Sequence, residues 1–145
     1  MTSSPISKLN EQDGSTSSSV LLGLPDLAFA GKPGTGKTEA IAFLTRELGY
    51  TEFTRRDPPY AVECCCERAW WDYRARGFVI VRLVDPNASR RYSRLGAHAG
   101  PPAGWDLDDT DRPTLVADYT IENDGTKYDL YDEIVNVLVK ERKKR

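Results

Sequence analysis

Eight consecutive residues near the start of the chain have the types and spacing to hold a phosphate group. They read Gly-Lys-Pro-Gly-Thr-Gly-Lys-Thr and fit the Gly-x-x-x-x-Gly-Lys-Thr pattern of a phosphate-binding loop. Glycine accepts positive φ and has no Cβ, so the backbone can wrap around an anion with its N–H groups directed inward. All eight residues are therefore candidates for nucleotide binding: Gly31, Lys32, Pro33, Gly34, Thr35, Gly36, Lys37 and Thr38.

Two side chains in this segment supply what a nucleoside triphosphate requires. Lys37 is a mobile ammonium that can reach the β- and γ-phosphates, and the Thr38 hydroxyl can bind Mg²⁺. A helix that follows the loop adds the positive end of its dipole. The segment therefore predicts binding of ATP or GTP phosphates together with Mg²⁺.

The flanking segments match the strand and the helix that such a loop joins. Residues 27–30 are short and apolar, as a buried strand is. Ile41, Leu44 and Leu48 recur at helical spacing after the loop. We predict a first strand over 27–30 and a helix over 36–48, which Gly49 ends.

Composition and charge argue against several other classes of protein. The chain has 145 residues, which favours one domain, and its net charge of −2 gives no sign of general nucleic-acid binding. It contains no apolar run of about 20 residues that could span a membrane, and no secretory signal. The three cysteines, 64–66, are consecutive and suit reduced thiols. We expect a cytoplasmic protein without nucleic-acid or membrane partners.

The middle of the chain gives weaker patterns. Residues 1–19 are rich in serine and threonine and predict a disordered tail, which leaves 20–145 as a single domain. Residue types at 50–53 favour a second strand, and apolar spacing over 61–76 favours a second helix. Trp70 and Trp71 are adjacent in that helix, so only one of them can face the core.

The second half contains the clearest strand. Residues 78–84 are almost continuously apolar, which is typical of a strand buried on both faces of a parallel sheet. Residues 86–114 show little periodicity and predict a long, lid-like loop. We predict a further strand over 115–121 and a last helix over 127–141, which begins with a capping box of Thr126 and Asp129.

This alternation of strands and helices predicts a three-layer α/β fold. With a phosphate loop after the first strand, it is the P-loop nucleoside-triphosphate-binding fold, with a short, mostly parallel sheet flanked by helices. Ligands should lie at the carboxyl ends of the strands. Those ends are the Gly31 loop, Asp85 and the turn at Asn123.

The chain resembles a known family over roughly residues 26–54 and 76–139. Its residues 117–126, Ala-Asp-Tyr-Thr-Ile-Glu-Asn-Asp-Gly-Thr, are similar to the C-terminal strand–turn–helix of phage-type deoxynucleoside monophosphate kinases. Dephospho-CoA kinases carry a similar Asn-x-Gly turn. The resemblance implies an enzyme of a bacterial or phage-infected cell that transfers phosphate from ATP to a (deoxy)nucleoside monophosphate. It also places Asn123, Asp124 and Gly125 near the adenine of ATP.

Further roles follow from the resemblance. Three arginines of the long loop, Arg90, Arg91 and Arg94, would act with Lys37 in catalysis. They would fold over as a lid and offset the charge that develops in the transition state, because guanidinium groups match phosphate oxygens. Arg55 and Arg56 would hold the phosphate of the acceptor nucleotide.

The resemblance also implies an acidic residue that supports Mg²⁺ at the end of an apolar strand. No such strand ending in Asp is evident between the first helix and residue 78. Asp57 and Glu63 are the nearest carboxylates, and we assign the role to Asp57, with Asp85 as the alternative.

The same short middle section favours an alternative function. Family members use a longer middle to bind the monophosphate. A chain that kept the phosphate loop and lost this acceptor site would act as a nucleotide-binding or regulatory module without turnover.

Overall fold

A computed structural model of the protein describes residues 24–53, 58–95 and 110–144. The predicted tail over 1–19 lies outside these residues. Strands and helices alternate along the described chain, as predicted for an α/β protein. They are β1 Leu27–Ala30, α1 Lys37–Leu48, β2 Ala61–Glu63, α2 Glu67–Ala75, β3 Val79–Val84, α3 Ala88–Arg94, β4 Tyr119–Glu122 and α4 Lys127–Lys143.

The four strands form one parallel sheet in the order β2-β1-β3-β4. Leu27 of β1 lies opposite Ala61 of β2 on one side and Val79 of β3 on the other. Because all strands run the same way, their carboxyl ends share one edge of the sheet. The residues that follow the strands are therefore brought together at this edge.

Alternate residues of β1 enter two separate cores. Leu27 and Phe29 pack with α1 and α4 on one face, whereas Ala28 and Ala30 pack with Trp70 of α2 on the other. Both faces of the sheet are thus covered by helices, which explains why β1 is wholly apolar and β3 is apolar except for Arg82. None of the helices in the described ranges is long and apolar enough to cross a membrane.

Several predicted elements are confirmed. β1, α1 and β3 lie where the sequence predicts them, and Gly49 ends α1 with a left-handed φ of 72°. The capping box of Thr126 and Asp129 is formed at the start of α4. Trp70 is fully buried and Trp71 is exposed, as their adjacency required.

The predicted strand over 50–53 and helix over 61–76 are wrong in part. Thr51 forms only an isolated bridge with Tyr60, and residues 61–63 are strand β2 rather than helix. The backbone pairs with β1 instead, and the Cys64 N–H continues this pairing by donating to the Phe29 carbonyl at 2.8 Å. Pairing with a central strand therefore overrides the helical spacing, and the helix begins only at residue 67.

The predicted loop over 86–114 and strand over 115–121 also need correction. Residues 88–94 form helix α3, because the Asn87 side chain caps it by accepting from the Arg90 N–H at 2.8 Å. Residues 96–109 lie outside the described chain. Strand β4 starts only at 119, because the Asp118 carboxylate takes the Ile80 N–H and so replaces a backbone partner.

Candidate functional site

The loop between β1 and α1 is compact because its glycines allow other segments to approach. Gly34 has φ 78°, and a Cβ built there would lie 2.1 Å from the Arg91 carbonyl oxygen of α3. Gly36 has φ 104°, and its Cβ would lie 2.5 Å from the Asn123 side-chain nitrogen. These two positions therefore require glycine for both their backbone conformation and their close contacts.

The carbonyl groups of the loop are held by the protein. Thr35 Oγ1 donates to the Lys32 carbonyl at 2.9 Å, and Asn123 Nδ2 donates to the Thr35 carbonyl at 2.9 Å. Arg94 Nη1 donates to the Gly34 carbonyl at 3.0 Å.

The amide groups of the loop are left available. Within the described residues, no acceptor takes the N–H groups of Gly34, Gly36, Lys37 or Thr38, and α1 has no side-chain cap. A row of unpaired N–H groups at a helix N-terminus is an anion-binding arrangement.

Lys37 lies between the loop and the end of strand β2. Its Nζ donates to the Gly31 carbonyl at 2.6 Å and lies 3.2 Å from a carboxylate oxygen of Glu63. The Lys37 side chain is only 13% exposed, whereas that of Glu63 is 48% exposed. The ammonium is therefore positioned at the loop, and the carboxylate beside it remains open to solvent.

A cavity of about 590 Å³ opens in front of these groups. This volume is within the usual range for small-molecule sites. The cavity is lined by charges of both signs, those of Lys37, Arg94 and Lys127 and those of Glu39 and Glu63. Its walls come from the loop, the start of α1, the end of β2, the end of α3, the turn after β4 and the start of α4. The lining residues are Pro33, Gly34, Gly36, Lys37, Thr38, Glu39, Glu63, Arg94, Leu95, Asn123, Gly125, Lys127 and Leu130.

Asp85 lies behind the loop and is paired with arginines. Its carboxylate, which is fully buried, accepts from Arg90 Nε and Nη2 at 2.7 Å each and lies 3.0 Å from Arg94 Nη1. The hydrogen bonds from Arg90 lower the pKa of Asp85 from 3.8 to about 2. Both oxygens of this carboxylate are therefore occupied by guanidinium groups.

The three arginines predicted for catalysis lie close together on α3, but only Arg94 borders the cavity. Arg91 is buried, and its Nε donates to the Asp85 backbone carbonyl at 2.7 Å. Arg90 faces Asp85. In this arrangement the arginine side chains hold protein groups.

The turn after β4 meets the same cavity through two of its three predicted residues. Asn123 is buried and its side chain is used by the loop, while Gly125 borders the cavity. Asp124 is exposed and is not among the lining residues.

The acceptor-site candidates Arg55 and Arg56, and the metal candidate Asp57, lie outside the described residues. Glu63 borders the cavity, although from the sequence we named it only as a nearby carboxylate and assigned the metal role to Asp57. Glu63 ends the strand Ala-Val-Glu, and a strand of three residues is too short to be recognised by its periodicity. Cys64, Cys65 and Cys66, which form no disulfide within the described chain, follow Glu63 directly.

No cluster of three His, Cys, Asp or Glu residues that could hold a metal ion occurs in the described ranges. Comparison of the chain with protein-family models, with curated proteins and with solved structures gives no match.

Proposed function

We propose that this protein binds a magnesium nucleoside triphosphate at the 31–38 loop and transfers its γ-phosphoryl group to a (deoxy)nucleoside monophosphate. One observation carries the proposal. Loop residues whose N–H groups have no acceptor within the described part of the chain border a cavity, and a lysine ammonium lies at the same edge of the sheet. This combination of donors is suited to the oxygens of a polyphosphate.

Mg²⁺ fits the side chains at this edge. Thr38 and Glu63 both border the cavity and offer oxygen, and Mg²⁺ usually takes one or two protein oxygens together with substrate phosphates and water. When bound, it would neutralise charge on the phosphate oxygens. We therefore assign the carboxylate to Glu63 rather than to Asp85, whose oxygens are already paired with arginines.

Lys37 would change partners when the nucleotide binds. Phosphate oxygens would replace the Gly31 carbonyl and the Glu63 carboxylate as acceptors of its ammonium protons. This exchange would leave the Glu63 carboxylate free for Mg²⁺. In the transfer itself, a phosphate oxygen of the acceptor would form a bond to the γ-phosphorus while the bond between the γ-phosphorus and the β–γ bridging oxygen breaks. The donor would leave as its diphosphate, and the acceptor monophosphate would become a diphosphate.

Calorimetric titration with ATP and Mg²⁺ tests the binding step. Lys37→Met should weaken binding by at least about tenfold, because it removes a charge-assisted contact. Lys143→Met is the matched control, since Lys143 is exposed at the far end of α4. Wild-type affinity in Lys37→Met would refute the assignment of the loop.

The alternative, a nucleotide-binding module without turnover, is favoured by the brevity of the middle section. Between α1 and β3 the described residues contain only strand β2 and helix α2. An ADP-release assay across the deoxynucleoside monophosphates, with dephospho-CoA included, separates the two functions. Turnover with one acceptor supports the kinase, and ATP binding without acceptor-dependent turnover supports the module.

A further inference from the structure

One guanidinium group joins three separate segments around the loop. Arg94 Nη1 donates to the Gly34 carbonyl at 3.0 Å and lies 3.0 Å from a carboxylate oxygen of Asp85. Arg94 Nη2 donates to the Asn123 carbonyl at 2.9 Å. The loop, the end of β3 and the turn after β4 are therefore tied together at one side chain.

The buried carboxylate of Asp85 holds the guanidinium of Arg94 in position. The Asp85 carboxylate is fully buried, receives two hydrogen bonds from Arg90, and also accepts from the Asn87 N–H at 3.0 Å. A planar guanidinium can satisfy acceptors in several directions at once, which a lysine ammonium on a flexible stem does less well. The site thus uses the property that distinguishes arginine from lysine.

Neighbouring contacts hold the adjacent carbonyls of the loop in the same way. Asn123 Nδ2 donates to the Thr35 carbonyl, and Arg91 Nη1 lies 3.5 Å from the Pro33 carbonyl. Three successive carbonyls, those of residues 33, 34 and 35, therefore face the α3 helix and the β4 turn.

Because the peptide bond is planar, fixing the carbonyl of one residue also fixes the direction of the next residue's N–H group. In a trans peptide the C=O of one residue and the N–H of the next point in opposite directions. The contacts of Arg91 and Asn123 with the carbonyls of residues 33 and 35 therefore direct the N–H groups of Gly34 and Gly36 away from α3 and the turn. The Gly34 carbonyl, which Arg94 holds, fixes instead the Thr35 N–H, which donates to the Lys32 carbonyl. Arg94 acts on the Gly36 amide through Asn123, whose backbone carbonyl it binds. Both glycines border the cavity.

We infer that Arg94, supported by Asp85, is a positioning residue that holds the loop and the turn after β4 together, so that the Gly34 and Gly36 amides keep their direction for phosphate. This inference rests on the proposed function. It differs from the catalytic role predicted from the sequence, in which Arg94 would contact phosphate only in the transition state. Because Arg94 acts on the loop, its replacement should weaken the binding of all polyphosphates by a similar factor, whatever base they carry.

Titration of Arg94→Ala with Mg²⁺-ATP and with Mg²⁺-tripolyphosphate tests the role in binding. Both dissociation constants should rise by a similar factor of about ten or more, because the loop loses charge-assisted bonds. Arg94→Lys should recover only part of this loss. Ser93→Ala, on the same helix, and Arg68→Ala, an exposed arginine of α2, are the controls and should bind like the wild type.

Hydrogen exchange without any ligand gives a second readout. The Thr35 N–H, which donates to the Lys32 carbonyl at 3.3 Å, should exchange faster in Arg94→Ala than in the wild type or Ser93→Ala. Asp85→Asn should also raise the Thr35 N–H exchange rate and weaken polyphosphate binding, each by a smaller factor than Arg94→Ala. It serves as the test if Arg94→Ala does not fold.

The outcomes separate this inference from the proposed function. Unchanged tripolyphosphate binding with a lower kcat would overturn the inference and restore the transition-state role. A wild-type protein that binds neither ATP nor tripolyphosphate would remove the proposed function. In that case the role of Arg94 in phosphate binding falls as well, whereas an unchanged Thr35 exchange rate in Arg94→Ala refutes the positioning of the loop by Arg94 whatever the protein binds.

Discussion

Replacing Asp85 with asparagine should lower the free energy of unfolding by about 2–3 kcal/mol at neutral pH, and this loss should disappear in acid. The buried carboxylate accepts two hydrogen bonds from Arg90, which lower its pKa from 3.8 to about 2. At about 1.4 kcal/mol for each pH unit, the difference between these values corresponds to about 2–3 kcal/mol.

The direction of the pH dependence follows from the lowered pKa. Above about pH 4 the carboxylate is charged in both the folded and the unfolded protein, so the Asp85 pairing contributes its full stability. As the pH falls from about 4 to about 2, the unfolded chain takes up the proton first and the contribution is lost. The variant has no carboxylate at this position and lacks this dependence.

Urea unfolding of both proteins at several pH values between 2 and 7 measures the effect. The difference in free energy of unfolding should shrink across the window from about pH 4 to about pH 2. Asp72→Asn is the control, because Asp72 is an exposed partner of Arg76 on α2 and its loss should stay within about 0.5 kcal/mol. A difference that persists undiminished at pH 2, or that is missing at pH 7, would contradict the reasoning.

Two further predictions concern the cavity. Glu63→Gln should weaken ATP binding in the presence of Mg²⁺ by about tenfold and leave metal-free binding unchanged or tighter, because Lys37 loses a competing anion; calorimetry with and without Mg²⁺ measures this, and an equal loss in both conditions would count against metal binding by Glu63. The matched control is Glu67→Gln, a part-exposed carboxylate at the start of α2. Gly36→Ala should abolish ATP binding and destabilise the fold, since its Cβ has no room, whereas Gly49→Ala has open space and should cost about 1 kcal/mol with ATP affinity retained. Equal ATP affinity in the two glycine variants would show that the close contact at residue 36 does not matter.

The turn over 31–38 and the elements beside it could be predicted from the sequence because their signals are local. The loop needs glycines at fixed spacing, and α1 ends at Gly49, which adopts the left-handed conformation itself. The capping box of α4 is formed by Thr126 and Asp129, three residues apart. Each of these features depends on neighbours in the chain, so residue type and spacing are sufficient to find them.

Only the tertiary structure decided which residues surround the loop. Strand β2 is three residues long and forms by pairing with β1, so Glu63 comes beside Lys37 through contacts between distant segments. Arg94 and Asn123 reach the loop carbonyls from 60 and 88 residues away along the chain. A hydrogen bond between such distant residues leaves no periodic trace in the sequence, because it depends on how the sheet brings its strand ends to one edge.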